Sequence, residues 1–459
     1  MQSIDLAIVG AGPAGMAAAI AAREIGVDVA VLDEQAEPGG QIYRGVERAA
    51  ARPGALEILG ADYAAGAALV GAFRASGARY LPRASVWRID AERRVYFTAP
   101  GGGDAFAAKH VLIATGAIER PMPFPGWTLP GVMTCGAAQI VLKSAALVPA
   151  GRVYLAGGGP LVLLLAAQLT RAGVPVAAIL NTLPVANLWP ALARLPAFLR
   201  APGYFGKGLG MLAELRRAGV RIVRGVSELR AHGSDRLQAV EYRTGAGAQR
   251  ESADLLLVHQ GVVPNVNLAL ATRCEHRWDD AQRCFRPVCD DWGDSSIDGI
   301  TIAGDGAGIA GAQAAESAGR LAALAIGCKL GRIDARERDR RAVQVRAGLA
   351  RHLRARGFLD ALYRPPQRAV APADDVLACR CEEVTAGEIR RLAQGGCPGP
   401  NQMKAFVRAG MGPCQGRLCG LTVTEIIAAA RRVPQQEVGY YRIRSPVRPL
   451  TLGELAGME

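Results

Sequence analysis

Four cysteines near the C-terminus stand in two close pairs, Cys379-Arg-Cys381 and, after thirty-two intervening residues, Cys414-Gln-Gly-Arg-Leu-Cys419. Four soft thiolates so placed can hold a metal or a metal cluster. Structural zinc usually takes Cys-x2-Cys pairs that form tight knuckles, and neither pair has that spacing. A Cys-x-Cys pair with a Cys-x4-Cys pair suits a bridged two-iron cluster better, because the ligands must divide between two iron atoms. Zinc is the alternative. Gly410, Gly412, Gly416 and Gly420 surround the second pair, and we expect them to free backbone N–H groups for the cluster sulfurs. Cys397, beside Pro398, is read as a non-ligand. Cys135, Cys274, Cys284, Cys289 and Cys328 lack ligand spacing and are read as core or surface thiols.

A second stretch able to do chemistry opens the chain. Ile4-Asp-Leu-Ala-Ile-Val-Gly10-Ala11-Gly12-Pro13-Ala14-Gly15 sets an apolar strand, three spaced glycines and an alanine-rich helix in order. Gly10 permits a tight turn, Gly12 lets backbone approach a pyrophosphate, and Gly15 lets helix and strand pack closely. The phosphates of a dinucleotide then sit at the helix N-terminus, where free N–H groups and the dipole favour negative charge. A second strand, Val29 to Leu32, ends at Asp33-Glu34, and Asp33 stands eighteen residues past Gly15, placed to accept ribose hydroxyls. Pro38-Gly39-Gly40-Gln41-Ile42-Tyr43-Arg44 follows as a loop whose glycine pair brings Gly40, Gln41 and Arg44 toward the same ligand. His110 to Gly116 reads as a strand ending in the small residues Ala114-Thr115-Gly116. Gly299 to Gly306 ends another strand in Gly304-Asp305, beside a helix from about Gly311 to Ile326. That is a second phosphate-and-ribitol geometry.

These sites need α/β elements to position them. The 459 residues exceed what one core usually holds. Half are hydrophobic and only 21% charged, which suits buried parallel sheets. Residues 117–262 repeat the opening plan: strand Arg152 to Ala156, turn Gly157-Gly158-Gly159, helix Leu161 to Arg171 and strand Val174 to Leu180. Val162 replaces the third glycine, and the second strand ends in Asn181-Thr182 with neither an acid nor an arginine for a ribose. Productive NAD(P)H binding is therefore not expected there. We expect a first nucleotide domain from 1–116 plus 263–335 and a second, degenerate one at 117–262. An arginine-rich linker at 336–375, a small cysteine domain at 376–432 and a tail at 433–459 follow. Residues 45–80 read as helical, and Val86 to Ile89 with Val95 to Thr98 read as a hairpin.

The formal charge of +13 is mostly scattered arginine. Its one cluster, nine arginines from Arg332 to Arg356 with acids interleaved, reads as a solvated helix face rather than a nucleic-acid patch. Docking of an acidic partner is a further reading of it. Asn187 to Met211, rich in Leu, Trp and Phe, is either a partner-facing surface or a core-packing insertion. Val153 to Thr170 is uncharged, but its glycine-proline punctuation favours strand–turn–helix over a membrane span. No basic region precedes the first apolar run, so a cytoplasmic chain is expected. The five histidines stand in no pattern with an acid, and no Cys-x-x-Cys pair lies in the body. Catalytic residues are not legible.

The glycine set Gly10, Gly12 and Gly15, with Ala114-Thr115-Gly116 and Ala303-Gly304-Asp305, resembles the two-dinucleotide-domain, glutathione-reductase-like flavoproteins over residues 1 to about 330. In that family Asp33 matches the ribose-binding acid and Asp305 the acid near the flavin ribityl chain. Gly39 to Arg44, Gly159-Pro160-Leu161 and the tail cysteines are similar to the flavoprotein subunits of membrane- or quinone-linked amine dehydrogenases. Members are the A subunit of octopine/nopaline oxidase, the α subunit of D-hydroxyproline dehydrogenase and the B subunit of hydrogen cyanide synthase. The α subunit of heterotetrameric sarcosine oxidase is a more distant likeness. The cysteine spacing resembles the small helical [2Fe–2S] domain of bacterioferritin-associated ferredoxin, whose matching cysteines ligate iron.

The resemblance implies FAD at the Gly10–Asp33 site, with another dinucleotide or ATP as alternatives, a [2Fe–2S] cluster, and in some complexes FMN at a subunit interface. It implies a substrate-oxidising FAD-binding β subunit and, in some assemblies, a small ferredoxin-like γ subunit. A quinone or respiratory acceptor is implied too, and a position peripheral to the inner face of the membrane goes with that acceptor. The function expected is electron relay in an amine or amino-acid dehydrogenase acting on opines, D-hydroxyproline or a related secondary amine. Hydrogen cyanide synthesis from glycine is one alternative, and a self-contained NAD(P)H-dependent reductase is another.

Overall fold

In the computed structural model the opening apolar run is β1 (Gln2–Val9), buried from Ile4 onward as a central parallel strand must be. The model describes residues 2–457; Met1 and Met458–Glu459, at the outer ends of the first and last expected segments, lie outside it. Helix α1 (Pro13–Glu24) starts on the proline that suits a first helical position, and its alanines are buried. They face the helix Ala312–Lys329 so closely that a Cβ on Gly319 would lie 2.1 Å from the Ala14 carbonyl oxygen.

The strands β2 (Val29–Asp33), β3 (Arg79–Pro82), β4 (Ser85–Ile89), β5 (Arg94–Ala99) and β6 (Gly102–Ile113) complete the first sheet in the order β3-β2-β1-β6-β5-β4. Strand Ile300–Ile302 adds to β6 in parallel, which brings a late segment of the chain back beside the first. Between β2 and β3 the expected helical stretch is four short helices, Val46–Ala50, Ala55–Leu59, Ala61–Ala64 and Gly66–Ala75. Gly54 and Gly60 interrupt them at φ of 72° and 91°, where a helix cannot continue.

The second sheet runs, in space, Arg221–Val223, Val176–Asn181, Val153–Gly157, Leu255–His259 and Val132–Thr134, all parallel. A glycine turn and the helix Pro160–Arg171 follow its central strand, as α1 follows β1. An antiparallel meander, Glu228–His232, Ala239–Thr244 and Gly247–Ser252, packs beside it.

The stretch read as an arginine-rich linker is mostly one helix, Ala335–Leu362, whose N-cap Asp334 accepts from the Glu337 N–H. Only Ala342 and Ala355 are buried on it, and Glu337 pairs with Arg340 and Arg341 on the surface. It also carries the Asn187–Met211 region: Phe198 stacks on Phe358 at 4.3 Å, while Trp189 beyond it is 76% exposed. Phe198 thus packs as an insertion into the core would, while Trp189 stands in the open. Among the described residues, no helix is long and apolar enough to cross a membrane.

Beyond it, Leu377–Cys379 pairs with Val384–Thr385, and three helices follow, Ala386–Gln394, Pro400–Val407 and Gly420–Arg431. A capping box of Thr385 and Glu388 starts the first. These helices share one apolar core with the β5 and β6 side of the first sheet. The tail folds back over both: Tyr441, Ile443 and Val447 are buried, and the Val447 N–H donates to the Trp87 carbonyl.

Candidate functional site

The glycine turn is built by backbone crowding. Gly10, at φ 109°, passes so near the strand end that a Cβ would lie 2.5 Å from the Ala114 oxygen. On Gly15 it would lie 1.8 Å from the Gly10 oxygen, and on Gly40 2.8 Å from the Gly12 Cα. Gly304, at φ 75°, sits against the Ala14 side chain, and Gly306 against Thr115 and Gly116. Loops from four parts of the chain therefore meet over the start of α1. Gly12 caps that helix with no side-chain hydrogen bond, so the first-turn N–H groups of Ala14 and Gly15 face the turn without a side-chain acceptor.

Asp33, 9% exposed, accepts from the Ala11 N–H at 2.6 Å and the Gln35 N–H at 2.7 Å. Its first task is to hold the turn; each oxygen keeps a lone pair for a ribose hydroxyl. Burial pushes its carboxyl up against those two hydrogen bonds. Asp305 likewise holds its own loop, accepting from Ala310 and Gly311 N–H at 2.8 and 2.9 Å. Arg44 is tied to Gln35 at 2.5 Å and to Gln41 at 3.2 Å. Glu34 and Gln41 are exposed at the rim, where Glu34 accepts from the Gln35 amide.

One residue here escaped sequence reading. Lys143, 2% exposed, donates to the Gln41 and Ile42 carbonyls at 3.1 and 2.9 Å and to Gln139 at 2.8 Å. It straps the Gly39–Arg44 loop to the helix Cys135–Ala145 from about a hundred residues away in sequence, and burial pushes its ammonium down to about 7.

At the other end the four tail cysteines meet. The Cys419 thiol neighbours those of Cys379 and Cys414, and the Cys414 thiol that of Cys381, all four free. The Cys419 contact, then the N–H groups of Gly410, Glu382 and Cys381, hold the Cys379 thiol down at about 6. Cys414 is held at about 5 by Cys419, and then by Leu418, Cys381 and Gly416. Cys419 is pushed up by the same two partners and by burial. Four cysteines brought together, with backbone N–H groups beside Cys379 and Cys414, offer the donor chemistry of an iron–sulfur cluster. Among the described residues no three His, Cys, Asp or Glu side chains surround one point as the ligands of a single ion would; the four sulfurs form a chain instead. Gly412 and Gly420 also have a packing role, because a Cβ would lie 2.3 Å from the Cys381 Cβ or the Tyr440 hydroxyl. Cys397 is buried and bonds weakly to the Gly399 oxygen.

The two sites are tied to one short segment. The Asn265 N–H donates to the Gly116 carbonyl at 2.9 Å and the Thr115 hydroxyl to the Asn265 carbonyl at 3.2 Å. Two residues on, Asn267 donates to the carbonyl of Gln415, the neighbour of Cys414, at 3.0 Å. Arg283 and Glu425, buried together, and the Trp127 N–H on the Leu377 carbonyl lock the same arrangement.

In the second fold, side chains fill the crevice at the strand ends. The His259 ring lies over Gly159, 3.0 Å from where a Cβ would be, and Leu183 lies over Gly158 at 2.3 Å. Arg368 donates to the Thr182 and Val226 carbonyls at 3.0 and 2.6 Å. A cavity of about 270 Å³ remains beside them, lined by Met122, Phe124, Gln260 and Tyr242 among others. Two histidines, both at strand ends, meet acids that no sequence pattern showed. His259 bonds to Glu119 at 2.5 Å, buried, and His232 to Glu241 at 2.8 Å. Glu119 lies 140 residues from His259, beyond any local pattern.

Comparison with known proteins agrees with this geometry. Residues 4–322 match the pyridine nucleotide-disulphide oxidoreductase family and residues 377–429 the BFD-like [2Fe-2S] binding domain. The chain is 48% identical to the A subunit of opine oxidase from Agrobacterium tumefaciens (strain Ach5), over 98% of this chain and 91% of that one. It is 35% identical to hydrogen cyanide synthase subunit HcnB of Pseudomonas aeruginosa, over 96% of each. L-proline dehydrogenase from P. horikoshii shares the fold at a TM-score of 0.70 and 19% identity, over 99% of this chain and 79% of that one. The two domain matches indicate FAD and a [2Fe–2S] cluster, and the chain belongs to the pyridine nucleotide-disulphide oxidoreductase family, with the A subunit of opine oxidase among its relatives.

Proposed function

We propose that this chain is the electron-relaying subunit of an amine or amino-acid dehydrogenase, and that a separate FAD-binding β subunit oxidises the substrate. In this reading residues 1–116 with 263–335 form the FAD fold, 117–262 a nucleotide fold without a nicotinamide ligand, and 376–432 the cluster domain. Gly10 to Gly15 take the pyrophosphate, Asp33 with Glu34 the ribose, and Gly40, Gln41, Arg44, Thr115, Gly116, Gly304 and Asp305 the flavin half. Cys379, Cys381, Cys414 and Cys419 ligate the irons.

One segment carries this reading: Asn265 holds the Thr115–Gly116 turn while Asn267 holds the loop of Cys414. A flavin accepts electrons in pairs and can release them singly, and a two-iron cluster takes one at a time. The protein's part is to fix both sites to one rigid segment, to keep the first-turn N–H groups of α1 free for phosphate, and to bury Cys379 and Cys419 from water. Its filled second crevice argues against hydride entry from NAD(P)H. A secondary amine of amino-acid type fits the opine oxidase relatives, with glycine, through the hydrogen cyanide synthase relatives, as the alternative. Substrate choice then lies in the partner, and electrons leave to a quinone or another respiratory acceptor.

Anaerobic titration of the purified holoprotein tests this. Visible absorbance should resist NADH and NADPH and bleach with dithionite. Rapid bleaching by NADH would make the chain a reductase in its own right and overturn the relay reading.

A further inference from the structure

The matched cluster domain ends at residue 429, yet one wall of the cysteine site comes from beyond it. Tyr441, 1% exposed, brings its hydroxyl to 3.8 Å from the Cys419 sulfur. Among the described residues that sulfur is the only hydrogen-bond partner within its reach. The cysteine loop is shaped to admit the ring. A Cβ on Gly410 would lie 2.3 Å from the Tyr441 ring, and on Gly416 2.5 Å, and both glycines have positive φ. The Lys404 ammonium lies 4.6 Å from the ring centroid, over the ring face, and Tyr440 beside it packs edge-on at 5.8 Å. A buried phenol held from every side has one geometry to offer.

We propose that Tyr441 is a tuning residue of the cluster: its hydroxyl donates to the Cys419 sulfur and so sets the reduction potential, and the C-terminal tail is a structural part of the site. The direction follows from charge. A metal-bound thiolate carries no proton, so the phenol must be the donor. A donor at a ligand sulfur offsets the charge added on reduction and raises the potential. This rests on reading Cys419 as an iron ligand.

The experiment compares wild-type and Tyr441→Phe holoprotein by anaerobic redox titration, following the reduced-cluster EPR signal. The ring is kept, so the Gly410 and Gly416 packing survives, and iron content with urea stability reports any loss of fold. The expected result is a more negative cluster midpoint at unchanged iron content. Iron–sulfur stretching bands should shift on deuterium exchange in wild type and shift less in Tyr441→Phe. An unchanged midpoint with a wild-type EPR signal overturns the role of Tyr441 alone. A wild-type chain with no reduced-cluster signal overturns the ligand reading as well.

Discussion

Removing the Glu425 carboxylate probes how the cluster region is held on the flavoprotein body. Arg283 and Glu425 meet through two contacts, at 3.0 and 2.8 Å, with side chains 10% and 1% exposed. At an effective dielectric near 20, unit charges so close attract by about 6 kcal/mol, and desolvation of both groups offsets much of that. Glu425→Ala measures instead the stranding of a buried guanidinium, which typically costs about 3–5 kcal/mol. Gln367 still accepts from Arg283 at 2.9 Å, which puts the expectation at the lower end, about 3 kcal/mol. Urea unfolding of the holoprotein, followed at cluster absorbance, should shift down by roughly 1–2 M for a slope near 2 kcal/mol/M. Arg283→Met combined with Glu425→Leu strands no charge and should lose less than Glu425→Ala. A single-variant loss below about 1 kcal/mol, or a double variant worse than the single, refutes the reasoning.

Gly15→Ala forces a Cβ to 1.8 Å from the Gly10 oxygen, so the purified variant should retain no flavin, read from its visible spectrum. A normally loaded variant would mean that the turn does not hold the pyrophosphate. Cys414→Ser should abolish the reduced-cluster EPR signal and leave bound flavin, and a full signal with full iron would reject that ligand. Burial depresses the Lys143 ammonium from 10.5 to about 7, so the unfolded chain binds the extra proton between those values. Folding stability from this group is therefore lowest below pH 7 and recovers as pH rises toward 10.5, by at most about 1.4 kcal/mol per pH unit. Lys143→Met should flatten the wild-type rise in urea midpoint between pH 7 and 9. A rise of equal slope in the variant would assign it to another group.

Much of the architecture was legible because it is written in short-range spacing. Three glycines within six residues, between an apolar strand and an alanine-rich helix, define the nucleotide turn without any distant partner. The repeat at Gly157–Gly159 and the two cysteine pairs are equally local, and so the flavoprotein fold with a [2Fe–2S] domain could be recognised from them. Other elements misled for an identifiable reason. Residues 336–375 read as a linker even though their arginine cluster reads as a solvated helix face; i,i+4 ion pairs and packing on the helix Ala312–Lys329 make most of that stretch one helix. The stretch before β3 has helical composition throughout, but two left-handed glycines divide it.

Residue order alone specifies where the backbone must turn tightly, where phosphate can approach, and which four thiols stand in ligand spacing. Those properties depend on residues within a turn or two of each other. The folded chain was needed to show that Asp33 first holds its own turn, that Lys143 straps the Gly39–Arg44 loop, and that Arg368, His259 and Leu183 fill the second crevice. It alone brought Tyr441 to Cys419 and set both sites on the Asn265–Asn267 segment. Apart from the Asp33, Tyr441 and Leu183 contacts, which span 22 to 25 residues, each of these joins groups about a hundred to nearly two hundred residues apart. Burial and long-range packing choose such partners, and no local pattern of residue types records that choice.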